Sequence, residues 1–259
     1  MKKRTIILFV CLIFVCVLLV LNGTLFVVHD VEVYHWERGA IQDDHIVELS
    51  GVKNKNIFTI SESIVTENIE KAMPRYKVVN VERQFPSGIK IVILDRVPII
   101  AVKMTDGIYA VIDREGQVLD KTDSLIRYAY DLTILQGVTC GSVVVGEDLP
   151  VSDTEFARIL QIVTTFETTG DNGYIGENFC KTVRKITFRG NEVSLKTVEG
   201  MELYFDASVD CTNKIRALVS FFNNGKDTSG NPIDRSCGSY TTGDKDASGK
   251  YKILMNTSR

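Results

Sequence analysis

Residues 85–102 read FPSGIKIVILDRVPIIAV, an apolar run too long for one ordinary strand and broken by Asp95, Arg96 and Pro98. Proline has no backbone N–H and pushes the residue before it into extended geometry, so the chain can run on straight through Val97 while ladder pairing stops. The run therefore reads as two strands, with Asp95, Arg96 and Pro98 between them as the expected hinge.

The segment before this boundary reads as a small α+β unit. DVEVYHW (30–36) starts a strand with Val31 and Val33 on one face. QDDHIVELSG predicts a short helix capped by Asp43 or Asp44 and ended by Gly51 in a left-handed turn. SESIVTENIEKAMP predicts a second, with Ser61 as cap, a stripe of Val65, Ile69, Ala72 and Met73, and Pro74 as stop. YKVVNVERQ and GIKIVILD follow as strands joined by FPSG, which gives the order β-α-α-β-β.

Beyond Pro98 strands dominate. They are expected at 99–103, 108–113, 117–120, 132–135, 185–188, 193–196 and 202–205, with Asp113 to Gly116 as a tight turn. Ser152 to Glu155 is a capping box, and Phe156, Ile159, Leu160 and Val163 form a helical stripe. A last helix at 208–223 carries Cys211, Ile215, Leu218, Val219 and Phe222 on one face. A polar loop, 225–250, and a final strand, 251–256, close the chain.

At the other end, Met1-Lys2-Lys3-Arg4 precedes sixteen uncharged apolar residues, Ile6 to Leu21, and Leu25 to Val28 extend them. A helix over 6–28 would cover roughly 34 Å, enough for a hydrocarbon core of ~30 Å. The run is long for a signal peptide and lacks a small-residue cleavage site, so a single-pass transmembrane helix is expected. The basic residues would hold a tail, 1–5, in the cytoplasm and leave the bulk outside.

Without Lys2, Lys3 and Arg4 the chain has 27 basic residues against 33 acidic ones. That mild acidity argues against a nucleic-acid groove. Catalytic signatures are absent: there is no GxSxG elbow, no HExxH and no CxxC spacing. His29, His35 and His45 read as surface or interfacial residues, and Cys11 and Cys16 as apolar residues of the span. Cys140, Cys180, Cys211 and Cys237 leave three disulfide connectivities open.

Two patterns point elsewhere and fall short. Gly243 to Tyr251 has the wrong spacing for a phosphate loop. Asp244, Asp246, Ser248 and Gly249 start a calcium loop correctly, but Met255 falls where a bidentate glutamate is required, so a solvated loop is the better reading. Asp95, Asp113, Glu115 and Asp120 occupy strand ends and turns, with nothing to set two across a cleft. No metal or cofactor is expected.

Taken in order, an apolar anchor, β-α-α-β-β, the Asp95-Arg96-Val97-Pro98 junction and YAVIDREGQVLD (109–120) resemble the FtsQ/DivIB family of bacterial cell-division proteins. Weaker likenesses are LTILQGV (132–138), LKTVEGMELYFD (195–206), Lys214-Ile215 and PIDRS (232–236). Here Asp replaces the family's usual Glu at the junction, and CGSYTTGDKDASGK intervenes before Tyr251.

The resemblance implies a POTRA domain over 29–97 and a β domain over 98–259. It also implies a non-enzymatic scaffold in the cell membrane at the division septum. The implied partners are small coiled-coil proteins, DivIC/FtsB-like and FtsL-like, captured by an exposed terminal strand. The candidate contacts are Ile233, Asp234, Arg235, Tyr251, Ile253 and Met255. A membrane-tethered envelope enzyme or sensor with a POTRA-like spacer is the alternative.

Overall fold

The computed structural model describes residues 7–14, 24–128, 132–169, 177–226 and 232–256. Contacts divide the chain between Arg96 and Val97 into two compact units. Residues 7–14 are helical (α1) and exposed.

In the first unit, β1 (Asp30–His35), β2 (Gly39–Ile41), α2 (Asp44–Ser50), α3 (Glu62–Ala72), β3 (Tyr76–Gln84) and β4 (Gly88–Asp95) follow in sequence. The sheet order is β2-β1-β4-β3, with β1 parallel to β4 and the other pairs antiparallel. Strand alternation points Ile89, Ile91 and Ile93 of β4 to one side. There they share a core with Ile46 of α2 and with Val65 and Ile69 of α3.

Asp43 is the cap of α2: its Oδ1 accepts from the amides of His45 and Ile46, each at 3.1 Å, and Gly51 ends the helix at φ +60°. Ser61 does not cap α3 through its side chain; its hydroxyl pairs with that of Ser63 at 2.8 Å. Ala72, expected on the buried stripe, is exposed.

The expected transmembrane helix over 6–28 is corrected. Among the described residues no helix is long and apolar enough to cross a membrane. Residues 1–6 and 15–23, with Cys16 and the expected cytoplasmic tail, lie outside the described residues. The far end of the expected span belongs to the first unit. Val28 is fully buried in its core, the Val28 amide donates to Lys55 O at 2.9 Å, and Val27 bridges Asn56. Val28 is apolar because it fills a protein core. The single-pass topology and the membrane and septal location drawn from that helix are withdrawn with it.

Among its described residues the second unit carries nine strands: β5 (Ile100–Lys103), β6 (Tyr109–Ile112), β7 (Val118–Thr122), β8 (Thr133–Gln136), β9 (Val183–Arg189), β10 (Glu192–Thr197), β11 (Glu202–Asp206), β12 (Ser239–Lys245) and β13 (Tyr251–Met255). Its helices are α4 (Asp153–Thr169), α5 (Glu177–Thr182) and α6 (Cys211–Asn224). The sheet order is β13-β12-β11-β10-β9-β8-β5-β6-β7, with parallel pairs at β11/β12, β8/β9 and β5/β8.

Both faces of its middle are covered. Ile100 and Val102 of β5 join the main core with Ile159 and Val163 of α4 and Ile215 and Leu218 of α6. Ala101, between them, points the other way into a small cluster with Val111 and Leu132. The capping box at α4 forms, with the Glu155 amide donating to Ser152 Oγ at 3.3 Å and that hydroxyl donating to the Glu155 carboxylate at 3.0 Å.

The expected loop over 225–250 is corrected too. It contains β12, which lies parallel to β11 and carries β13 on its far side. Ser239-Tyr240-Thr241-Thr242 is rich in strand formers, and that outweighs its polarity.

Candidate functional site

β13 is an edge strand: β12 pairs with one side, and among the described residues no strand pairs with the other. The register aligns Tyr240 with Met255, Thr241 with Leu254 and Thr242 with Ile253. The Asn256 amide donates to Ser239 O at 2.8 Å, which makes that a hydrogen-bonded pair. Antiparallel pairs alternate, so Leu254 also bonds to β12, whereas Ile253 and Met255 direct their N–H and C=O groups away from it. These outward groups form a template for an added strand.

The side chains on this edge differ in burial. Tyr251 and Ile253 are half-buried, and Ile253 packs on the main core. Lys252, Leu254 and Met255 are exposed, Met255 at 62%.

The other expected contact residues follow α6 and have local duties. Ile233 is half-buried on the core, and its amide donates to Gly225 O at 3.0 Å. Asp234 Oδ1 accepts from the Ser236 amide at 2.9 Å and hydroxyl at 2.6 Å, hydrogen bonds that hold its carboxyl below the usual carboxylate range. Arg235 donates to Phe222 O at 2.7 Å and Asn223 O at 3.2 Å, and its guanidinium lies 4.7 Å from the Phe222 ring. It thereby satisfies the last carbonyls of α6 and complements the negative end of the helix.

The expected hinge residues sit at the end of β4 and just after it. Asp95 Oδ2 accepts from Arg38 at 2.5 Å and lies 3.3 Å from His35 Nε2. His35 is fully buried, contrary to its expected surface position, because it closes the inward face of β1; its ring lies edge-on to Tyr76. Arg96 is committed to the first unit: it pairs with Glu70 of α3 at 2.8 Å, and its side chain is only 6% exposed. Residues 96–99, with Pro98, are in no strand.

Asp113 is buried, and its Oδ1 accepts from the amides of Glu115 at 2.9 Å and Gln117 at 3.0 Å, which is the work of a turn. Among the described residues no group of His, Cys, Asp and Glu could hold a metal ion. Asp246 Oδ1 instead accepts from the amides of Ser248 and Lys250 and closes the β12–β13 turn. The described cysteines, Cys11, Cys140, Cys180, Cys211 and Cys237, are unbridged thiols.

The residue that sequence reasoning passed over is Asp210. It joins β13 to α6 by accepting from Tyr251 Oη and Lys245 Nζ, each at 2.8 Å. Its only sequence signal is an acid just before a helix, which reads as an ordinary cap.

Residues 31–96 match the POTRA domain of FtsQ type. No curated protein matches the chain. A POTRA domain of this type supports a scaffolding or adaptor role in protein–protein interaction.

Proposed function

We propose that the chain is a non-enzymatic scaffold of the bacterial division machinery, of the FtsQ/DivIB kind, that gathers DivIC/FtsB-like and FtsL-like coiled-coil proteins to support assembly of the septal wall. The observation that carries this reading is the FtsQ-type POTRA domain at 31–96, directly followed by a sheet whose terminal strand has an open edge. On this reading residues 29–97 form the POTRA domain, 98–259 the β domain, and Asp95, Arg96 and Pro98 the junction. A partner segment adds as a strand along β13. Ile253 and Met255 supply main-chain groups, and Tyr251 and Ile233 help to hold the strand in place from the core side. Asp234 and Arg235 shape the neighbouring turn.

The test uses the direction of the Ile253 amide. Ile253→Pro removes a donor that β12 does not use, so the sheet keeps its ladder while an incoming strand loses its bond. Binding of the DivIC/FtsB-like protein by the full chain should weaken by about tenfold or more, while thermal stability falls only by the packing that Ile253 loses on the core. If the wild-type chain captures neither coiled-coil protein, or the proline variant binds as well as wild type, the reading fails.

A further inference from the structure

Aspartate is among the best residues for accepting the free amides at a helix start. Asp210 occupies that position before α6 yet makes no such bond, and its backbone sits at φ +54°, ψ +38°. The left-handed region costs an aspartate less than most residues but is still unfavourable. The carboxylate accepts from side chains instead of from the helix amides. Its Oδ1 accepts from Asn213 Nδ2 at 2.6 Å, while Oδ2 accepts from both Tyr251 Oη and Lys245 Nζ.

Lys245 is the last residue of β12 and Tyr251 the first of β13. One oxygen therefore grips both arms of the terminal hairpin at its turn. The Lys245 ammonium also lies 4.9 Å from the centre of the Tyr251 ring, close enough for a cation–π contact. The grip falls where the hairpin is weakest, because the ladder is irregular between Thr242 and Lys245. Beyond that ladder and its packing on α6, among the described residues no other strand holds β13.

We infer that Asp210 is a positioning residue: it latches the terminal hairpin to the start of α6 and so keeps the Ile253–Met255 edge extended and ready to take a partner strand. This rests on the reading of β13 as the docking edge. The left-handed backbone and the unmade helix cap are the local cost of aiming the carboxylate at the hairpin.

Asp210→Gly separates the latch from the backbone strain, because glycine accepts the left-handed conformation and has no carboxylate. In the full chain without partner, amide exchange at Leu254 and Asn256 should quicken by about tenfold, while β9 to β11 exchange as in wild type. Asp210→Asn should fall between, and Tyr251→Phe should quicken the same amides without adding to the glycine variant. Exchange at Leu254 and Asn256 that changes by less than about twofold in the glycine variant overturns the latch. The readout needs no partner, so it stands apart from the docking test: a hairpin that opens in a chain that captures no partner strand supports the latch and sinks the docking reading alone.

Discussion

At Gly137 the backbone takes φ +83°, and a Cβ there would meet the carbonyl oxygen of Phe188 at 2.0 Å. The glycine ends β8 where β9 passes alongside, and backbone rather than a yielding side chain fills the space. Gly137→Ala should therefore cost on the order of 3 kcal/mol, read as a lowered urea midpoint for the second unit. The sequence showed a glycine after a strand, but the closeness of Phe188, fifty-one residues on, is a tertiary fact. Asp210 poses the same difficulty in electrostatic form. The hydrogen bonds from Lys245 first and Tyr251 next hold its carboxyl below the usual carboxylate range. Lys245 is raised, chiefly by Asp210, and Tyr251 is raised by burial and then by Asp210. A depressed acid contributes above its unfolded pKa of about 4 and loses that contribution as pH falls through its folded value. A raised lysine or tyrosine contributes below about 10 and loses it as pH rises through its own. The hairpin should thus be flat in stability between about pH 5 and 9 and open at both extremes, which the ring signals of Tyr251 in an NMR titration would report. A transition near pH 7 would contradict the latch.

Among the elements, those with a strong period were legible and those with a single weak turn were not. The stripes of α3, α4 and α6 could be read because burial repeats with the turn of a helix. The three-residue β2 and the six-residue α5 have too few residues to show a period. β12 was masked by its threonines, glycine and charges. The candidate site suffered most from this, since its open edge exists only because β12 places β13 outermost. α3 also shows how an element is tied down away from its apolar stripe. Glu70 accepts from the Val78 amide at 2.8 Å with one oxygen and from Arg96 at 2.8 Å with the other. Glu70→Ala would remove a carboxylate that pairs with a nearly buried guanidinium and also the acceptor of the Val78 amide, and should destabilise the first unit by about 3 kcal/mol. Glu70→Gln, which keeps the shape and the acceptor, should cost clearly less. Chemical denaturation followed by circular dichroism measures both. Equal losses would mean that the charge contributes nothing.

For the whole molecule, the dividing point between Arg96 and Val97 explains the apolar run at 85–102 in terms of ownership. Residues to its left fill one core and those to its right another. Each unit has its own sheet and its own buried cluster. Residues 24–96, produced alone, should therefore unfold in a single cooperative transition with the midpoint the unit has in the full chain. A fragment that is molten, or that unfolds only when rejoined to the remainder, would refute this independence. The apolar start of the chain was the least legible part. Val27 and Val28 satisfy a hydropathy pattern for lipid and a packing pattern for protein equally well, and only their bonds to the 54–56 segment distinguish the two.

The outward groups of Ile253 and Met255 have a consequence beyond any single partner. A strand edge with exposed Leu254 and Met255 beside it is a seam that matches any extended chain, including a second copy of itself. Such a seam rewards being occupied early. While it stands empty the protein is exposed to mispairing, so the arrival of the right strand serves as protection as well as recognition.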